Sequence, residues 1–174
     1  STIGLYAGGV AFNDVADADL DAIERPERPI PSGRASKKTA FWMSSLLLVF
    51  GVICAFQVNP IAGFLAIAVA VCAVLYDYWG KHQRILGPIN MGLCRSGNLL
   101  LGISVAPEVL EKIWPIGLLP LIYVAAITMI SRGEVHGKNR KALFAGGAMY
   151  ASIFMAIFGL AYLESPGYLQ VIPF

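Results

Sequence analysis

Residues 41–79 read FWMSSLLLVFGVICAFQVNPIAGFLAIAVAVCAVLYDYW, and this stretch decides what kind of protein the chain is. Phe41 to Phe56 is an apolar run, Gln57-Val58-Asn59-Pro60 is a turn, and Ile61 to Trp79 is apolar again. Each run approaches the roughly 20 residues that an α-helix needs to cross a bilayer core. The short link between them makes a helical hairpin. The whole composition agrees: of 174 residues, 57% are hydrophobic and 14% charged, and the mean hydropathy is +0.67. A chain of this size cannot hide so much apolar surface in a soluble core, so the bilayer is the expected solvent. Cys54, Cys72 and Cys94 lie in apolar stretches without C-x-x-C spacing and read as small buried hydrophobes. The chain begins at Ser1 in a run that reads as the end of a helix, with no signal peptide. These residues are therefore expected to belong to a longer protein.

Outward from the hairpin, Gly87 to Ala106 is a third, less apolar span that carries Asn90, Arg95 and Asn98. Its glycines suit a helix packed closely inside a bundle. Ala106 to Lys112 reads as a short loop, Ile113 to Ile130 as a fourth span and Ala142 to Leu163 as a fifth. On the other side, Ile3 to Phe12 is the tail of an earlier helix. The fold class is therefore all-α, a polytopic transmembrane helical bundle and a single domain over residues 1–174. Its polar loops at 13–40, 80–88 and 131–141 hold 11 of the 13 Lys and Arg residues. Alternation puts all three loops on one side, and the positive-inside rule makes that side cytoplasmic. Tyr76, Tyr78 and Trp79 suit the aromatic belt at that interface.

The first polar loop opens with NDVADADLDAIERPERPIPSG, Asn13 to Gly33. Read as a helix, Asn13, Asp17 and Asp21 recur every four residues on one slowly drifting face, with Asp14 on its flank. Carboxylates at this spacing repel one another, and near a helix C-terminus they also oppose its macrodipole. Something cationic must compensate. Clustered hard oxygens suit Mg²⁺ with a phosphate-bearing substrate, although a solvated acidic loop would show the same spacing. Beyond Glu24, Pro26, Pro29 and Pro31 forbid a continuous helix.

The pattern N-D-x-x-D-x-x-x-D followed by R-P-x-R-P-I-P-S-G resembles the first aspartate-rich motif of the UbiA superfamily of intramembrane prenyltransferases. The pieces YDYWGKH, GPINMGLCRSGNLLLG and SRGEVHGKNR look most like its EboC branch. The archaeal lipid-forming members fit those later pieces less well. The resemblance covers essentially the whole chain and implies a UbiA-like bundle lacking N- and C-terminal helices. It also implies transfer of an isoprenyl group from an isoprenyl diphosphate to a lipophilic or aromatic acceptor, with Mg²⁺ as cofactor. On the matching positions, Asn13, Asp17 and Asp21 would hold metal with Asp14 assisting, and Tyr76 and Lys81 match the Tyr…Lys element after the fourth helix. The second motif departs from the family: Glu134 keeps one acid, but Lys138 stands where another is usual, which weakens or deletes a second metal.

Diphosphate departure leaves an allylic carbocation, so the site needs metal and cations to stabilise the leaving group, and it needs water excluded. Arg28, Lys81 and Lys138 are the expected diphosphate contacts, and Glu134 completes the metal site. Arg95 is a substrate candidate because an ionisable residue inside a span is costly unless paired, though Asp77 or a loop carboxylate could satisfy it. Asn98 could bond a ligand or a neighbouring helix, and His136 could touch substrate or be solvated beside Lys138. Expected partners are the diphosphate donor, an unidentified acceptor, membrane lipids and, for exposed helix faces, other membrane proteins; nucleic acid is not among them. Two alternatives remain open: a catalytically altered descendant that binds or carries an isoprenoid-related metabolite, or a subunit of a membrane assembly.

Overall fold

The computed structural model describes the backbone of residues 1–135 and 140–164, and the side chains of residues 1–131 and 144–159. The backbone there is helical, in the order α1 (Thr2–Ala16), α2 (Ala18–Glu24), α3 (Lys37–Phe56), α4 (Pro60–Tyr78), α5 (Leu86–Ile103), α6 (Pro107–Ile113), α7 (Leu118–Val135) and α8 (Arg140–Glu164). The hairpin expected at 41–79 is α3 and α4. Its ends are set by local chemistry. The Ser36 hydroxyl accepts from the Thr39 N–H at 3.0 Å to cap α3. Asn59 accepts from the Ala62 N–H at 2.8 Å to cap α4, with Pro60 in the first turn where its missing N–H costs nothing.

Three helical stretches are long and apolar enough among the described residues to cross a membrane: Lys37–Phe56, Pro60–Tyr78 and Pro107–Ser131. The chain is an integral membrane protein. Of the five expected spans, α5 falls short of that apolarity because of its polar residues, and the described apolar part of α8 is Phe144–Gly159. The loop expected at 106–112 is instead α6, followed by a 3₁₀ turn at Trp114–Gly117. Pro107 at its start, Glu108 in its first turn and Lys112 in its last turn all favour a helix there. The polar loops are shorter than their composition suggests. α1 and α2 take up residues 13–24 but for Asp17, α7 continues to Val135, and α8 begins at Arg140. Polarity marks where the chain meets water, and a helix need not stop there.

α1 packs against α3 and α4, α5 lies between α4 and α7, and α7 packs on α8. The buried centre is made of Leu5, Leu48, Ala55, Ala62, Ala66, Val69 and Leu101. Small residues let backbones meet: a Cβ on Gly8 would lie 3.0 Å from the Ser44 carbonyl oxygen, and one on Gly92 would lie 2.5 Å from that of Leu121. This is the close packing expected where lipid removes the hydrophobic drive between helices and only contact distance remains. Large apolar side chains such as Phe50, Phe64, Phe154 and Phe158 point outward.

Candidate active site

The Asn13–Asp21 face survives a break in the helix. Asp17 ends α1 and begins α2 with φ −91° and ψ 1°, in the bridge region. Yet the Asp17 N–H donates to the Asn13 carbonyl at 2.9 Å, and the Asp21 N–H donates to the Asp17 carbonyl at 2.8 Å. Four-residue backbone bonding therefore carries through, and the three side chains stay in register.

Their partners come from two other segments. Lys81, in the 3₁₀ turn Gly80–His82 after α4, donates to Asp17 in a part-buried ion pair. Arg28 reaches back from the proline-rich loop, its Nη1 2.6 Å from Asp14 Oδ1 and 3.3 Å from Asp21 Oδ2. Asp21 is buried, so Arg28 supplies the charge that its desolvation demands. The Asn13 amide nitrogen donates both to Asp17 at 3.1 Å and to Asp77 at 3.0 Å. Asp19, off this face, is exposed and paired with Lys37 at 3.1 Å.

Asn13, Asp14, Asp17, Arg28, Tyr76, Asp77 and Lys81 line a cavity of about 640 Å³. Its wall continues inward through Tyr6, Val69, Ala73, Cys94, Arg95 and Asn98. Polar groups thus crowd one end of a cavity whose remainder lies among membrane helices. Arg95 has no ion pair among the described residues, and its guanidinium lies 5.7 Å from the centre of the Tyr6 ring. Asn98 donates to the Cys94 carbonyl at 3.1 Å, while its Oδ1 is buried without a hydrogen-bond partner.

The expected site residues Asn13, Asp14, Asp17, Arg28, Tyr76, Lys81, Arg95 and Asn98 therefore share one cavity, and Asp21 sits behind it through Arg28. Glu134 lies in the last turn of α7, where only the backbone is described. His136 and Lys138 lie outside the described residues. Asp77, one of the two kinds of partner left open for Arg95 by the sequence, is held by Asn13 instead. A lone acid inside an apolar run was the sign that it belonged to the site.

Among the described residues, no three His, Cys, Asp or Glu side chains converge closely enough to hold a metal unaided. Asn13, Asp14 and Asp17, whose side chains carry hard oxygens, line the same cavity. Mg²⁺ fits such a set, since it takes one or two carboxylates and completes its octahedron with water and substrate phosphate.

These features define a class: a multi-pass helical membrane protein with a carboxylate- and cation-lined site at one end of an intramembrane cavity. The chain belongs to the UbiA prenyltransferase family, which it matches over residues 1–172. It is similar to the digeranylgeranylglyceryl phosphate synthase of Methanosarcina mazei, 40% identical over 97 residues, covering 56% of this chain and 34% of that protein. The enzyme of the same name from Ignicoccus hospitalis is 30% identical over 138 residues, covering 79% of this chain and 46% of that protein. That of Metallosphaera sedula is 33% identical over 133 residues, covering 75% and 45%. The chain thus matches a third to a half of the length of these curated relatives. No solved structure matches it.

Proposed function

We propose that this chain carries the donor-binding centre of an intramembrane prenyltransferase, which moves an isoprenyl group from an isoprenyl diphosphate to a lipophilic or aromatic acceptor. One observation carries the reading: Asn13 and Asp17 line a cavity that runs between membrane helices, Asp21 stands in register behind them, and Arg28 and Lys81 neutralise the set. An apolar tail fits the inner part and a charged head the outer part. The names of the similar synthases support prenyl transfer.

In this reading Asn13, Asp17 and Asp21 hold Mg²⁺ beside the diphosphate, Asp14 assists, and Glu134 completes the set. When bound, the ion neutralises charge that develops on the leaving group. Lys81 and Arg28, held by carboxylates in the structure, turn to the phosphate oxygens and stabilise the departing diphosphate, with Lys138 joining from the α7–α8 connection. Tyr76 and His136 complete the donor's surroundings. The apolar residues of the inner wall, among them Val69 and Ala73, keep water from the allylic cation that forms. No side-chain nucleophile is needed. The polar end faces the cytoplasm, as the distribution of Lys and Arg favours. Within the family, the pieces YDYWGKH, GPINMGLCRSGNLLLG and SRGEVHGKNR favour the EboC branch, whereas the similar curated proteins are digeranylgeranylglyceryl phosphate synthases.

The test is diphosphate release from geranylgeranyl diphosphate by the full-length protein in liposomes, with and without Mg²⁺. Metal-dependent release that falls at least a hundredfold in Asp17→Asn is expected. Undiminished release by that variant overturns the assignment. Lys138, in the place of an acid, favours a second reading, a carrier of an isoprenoid-related metabolite. Donor binding without turnover in the wild type would establish it.

A further inference from the structure

Asn13 differs from the aspartates on its face in having two unlike edges. A carboxylate presents an oxygen whichever way it turns, whereas an amide carries its oxygen on one edge and two N–H donors on the other. Only the oxygen edge can hold a cation. Whatever fixes the rotation of this amide therefore decides whether Asn13 attracts a metal or repels it.

The donor edge is fully engaged. Asn13 Nδ2 donates to Asp17 Oδ2 at 3.1 Å and to Asp77 Oδ1 at 3.0 Å. Turning the amide over would set its oxygen against two carboxylate oxygens, with no donor between them. The two bonds are not equivalent. Asp17 is a candidate metal ligand itself and is shared with Lys81, so an arriving ion draws on its oxygens. Asp77 comes from α4 and lies outside the aspartate motif. α1 and α4 meet here in two rungs, Asn13 with Asp77 and Asp17 with Lys81, each four residues beyond the last. On one rung an acid holds an amide, and on the other an ammonium holds an acid.

Stability gives Asp77 little reason to be there. It is 5% exposed, in the last turn of a helix apolar enough to cross a membrane. The nearby cations serve other acids, Lys81 on Asp17 and Arg28 on Asp14 and Asp21. A buried carboxylate met by a neutral amide keeps much of its desolvation penalty, which an apolar residue would avoid. Yet Asp77 lines the same cavity as Asn13 and bonds the one candidate ligand that has an edge to choose.

We propose that Asp77 is a positioning residue, which holds the Asn13 amide so that its oxygen edge is the one presented to a divalent ion. Residues that orient metal ligands act in this way without touching the metal. The proposal rests on the reading above, in which Asn13 holds Mg²⁺. It assigns Asp77 an acceptor's role, for which an oxygen is required and a charge is not.

The test uses Mn²⁺, a paramagnetic substitute for Mg²⁺, with the full-length protein in detergent and the non-reactive donor geranylgeranyl thiodiphosphate, the donor alone serving as blank. Electron paramagnetic resonance gives the dissociation constant, and thermal unfolding of the same samples gives the midpoint. Asp77→Leu should raise the constant about tenfold or more, as removal of an orienting residue does. Asp77→Asn keeps an acceptor for the Asn13 N–H and should raise it no more than about threefold. Asn13→Asp sets three acids against one another and should also weaken binding. Adding Asp77→Asn to it reverses donor and acceptor, and should tighten binding about tenfold over Asn13→Asp alone, at a midpoint near that of the wild type. The amide variants decide the matter even where Asp77→Leu does not fold. Binding in Asp77→Asn that falls about tenfold overturns the proposal, since the acid would then act through its charge or touch the ion itself. So does wild-type affinity in Asp77→Leu, or a reversed pair no better than Asn13→Asp. Mn²⁺ binding indifferent to Asp17→Asn would sink the metal assignment beneath both readings. Binding lost in Asp17→Asn but indifferent to Asp77→Leu overturns this proposal alone.

Discussion

At the scale of single residues, the site is a set of carboxylates that cannot stand together without help. Asn13 is the member whose loss tells most. Its amide supplies the hydrogen bond to buried Asp77 and a second one to Asp17. Asn13→Ala leaves Asp77 buried without that donor, a loss of about 1–3 kcal/mol. It should lower the midpoint of thermal unfolding in detergent as well as donor affinity. A variant that loses donor affinity with an unchanged midpoint would show that Asn13 acts on ligand alone. Arg28→Gln removes the one contact that reaches both Asp14 and Asp21. Donor affinity should fall at least tenfold, and Arg28→Lys, a point charge without the guanidinium fork, should recover only part of it. Spacing alone made the Asn13–Asp21 face legible, because backbone bonding at intervals of four continues through the break at Asp17. Spacing could not reveal that Asn13 also reaches Asp77, since 64 residues separate them. Only the packing of α1 on α4 makes that contact.

At the scale of elements, helix contacts are governed by how closely backbones approach. Gly92 and Gly102 both lie on α5 and make a matched pair. A methyl group on Gly92 would meet the Leu121 carbonyl at 2.5 Å, whereas one on Gly102 meets nothing within 4 Å. Gly92→Ala should therefore destabilise by about 1–3 kcal/mol as α5 and α7 are forced apart. Gly102→Ala should be neutral or stabilising by up to about 1 kcal/mol, through helix propensity alone. Thermal unfolding of the two variants side by side decides it; equal midpoints would mean that the α5–α7 seam yields freely. Apolar runs located α3 and α4 to within a few residues, because caps at Ser36 and Asn59 coincide with the change to polar sequence. The same reasoning read 106–112 as a loop, where Pro107, Glu108 and Lys112 favour a short helix, and it began the fourth span at Ile113, ahead of the 3₁₀ turn at Trp114–Gly117.

At the scale of the whole molecule, charge predicts orientation. With Cys54, Cys72 and Cys94 replaced by Ala, a single cysteine at Arg34 or Arg84 should react with an impermeant maleimide from one face of the membrane, and one at Lys112 from the other. Labelling of all three from one face would overturn the alternation. Composition made the bilayer legible as solvent at once. The cavity was not legible, because its walls come from α1, α4 and α5, and no periodicity states which faces meet.

The cap at the start of α4 has a mechanical side. Asn59 caps α4 through its Oδ1, and its amide nitrogen donates to the Ser104 carbonyl at 2.7 Å, just past the end of α5. At the opposite end the chain itself joins the two helices through the short turn at Gly80–His82. α4 and α5 are thus a frame riveted at top and bottom, unable to splay apart as a pair of tongs would. Any yielding between the cavity's walls then falls to the α1 side, where α1 and α5 barely touch.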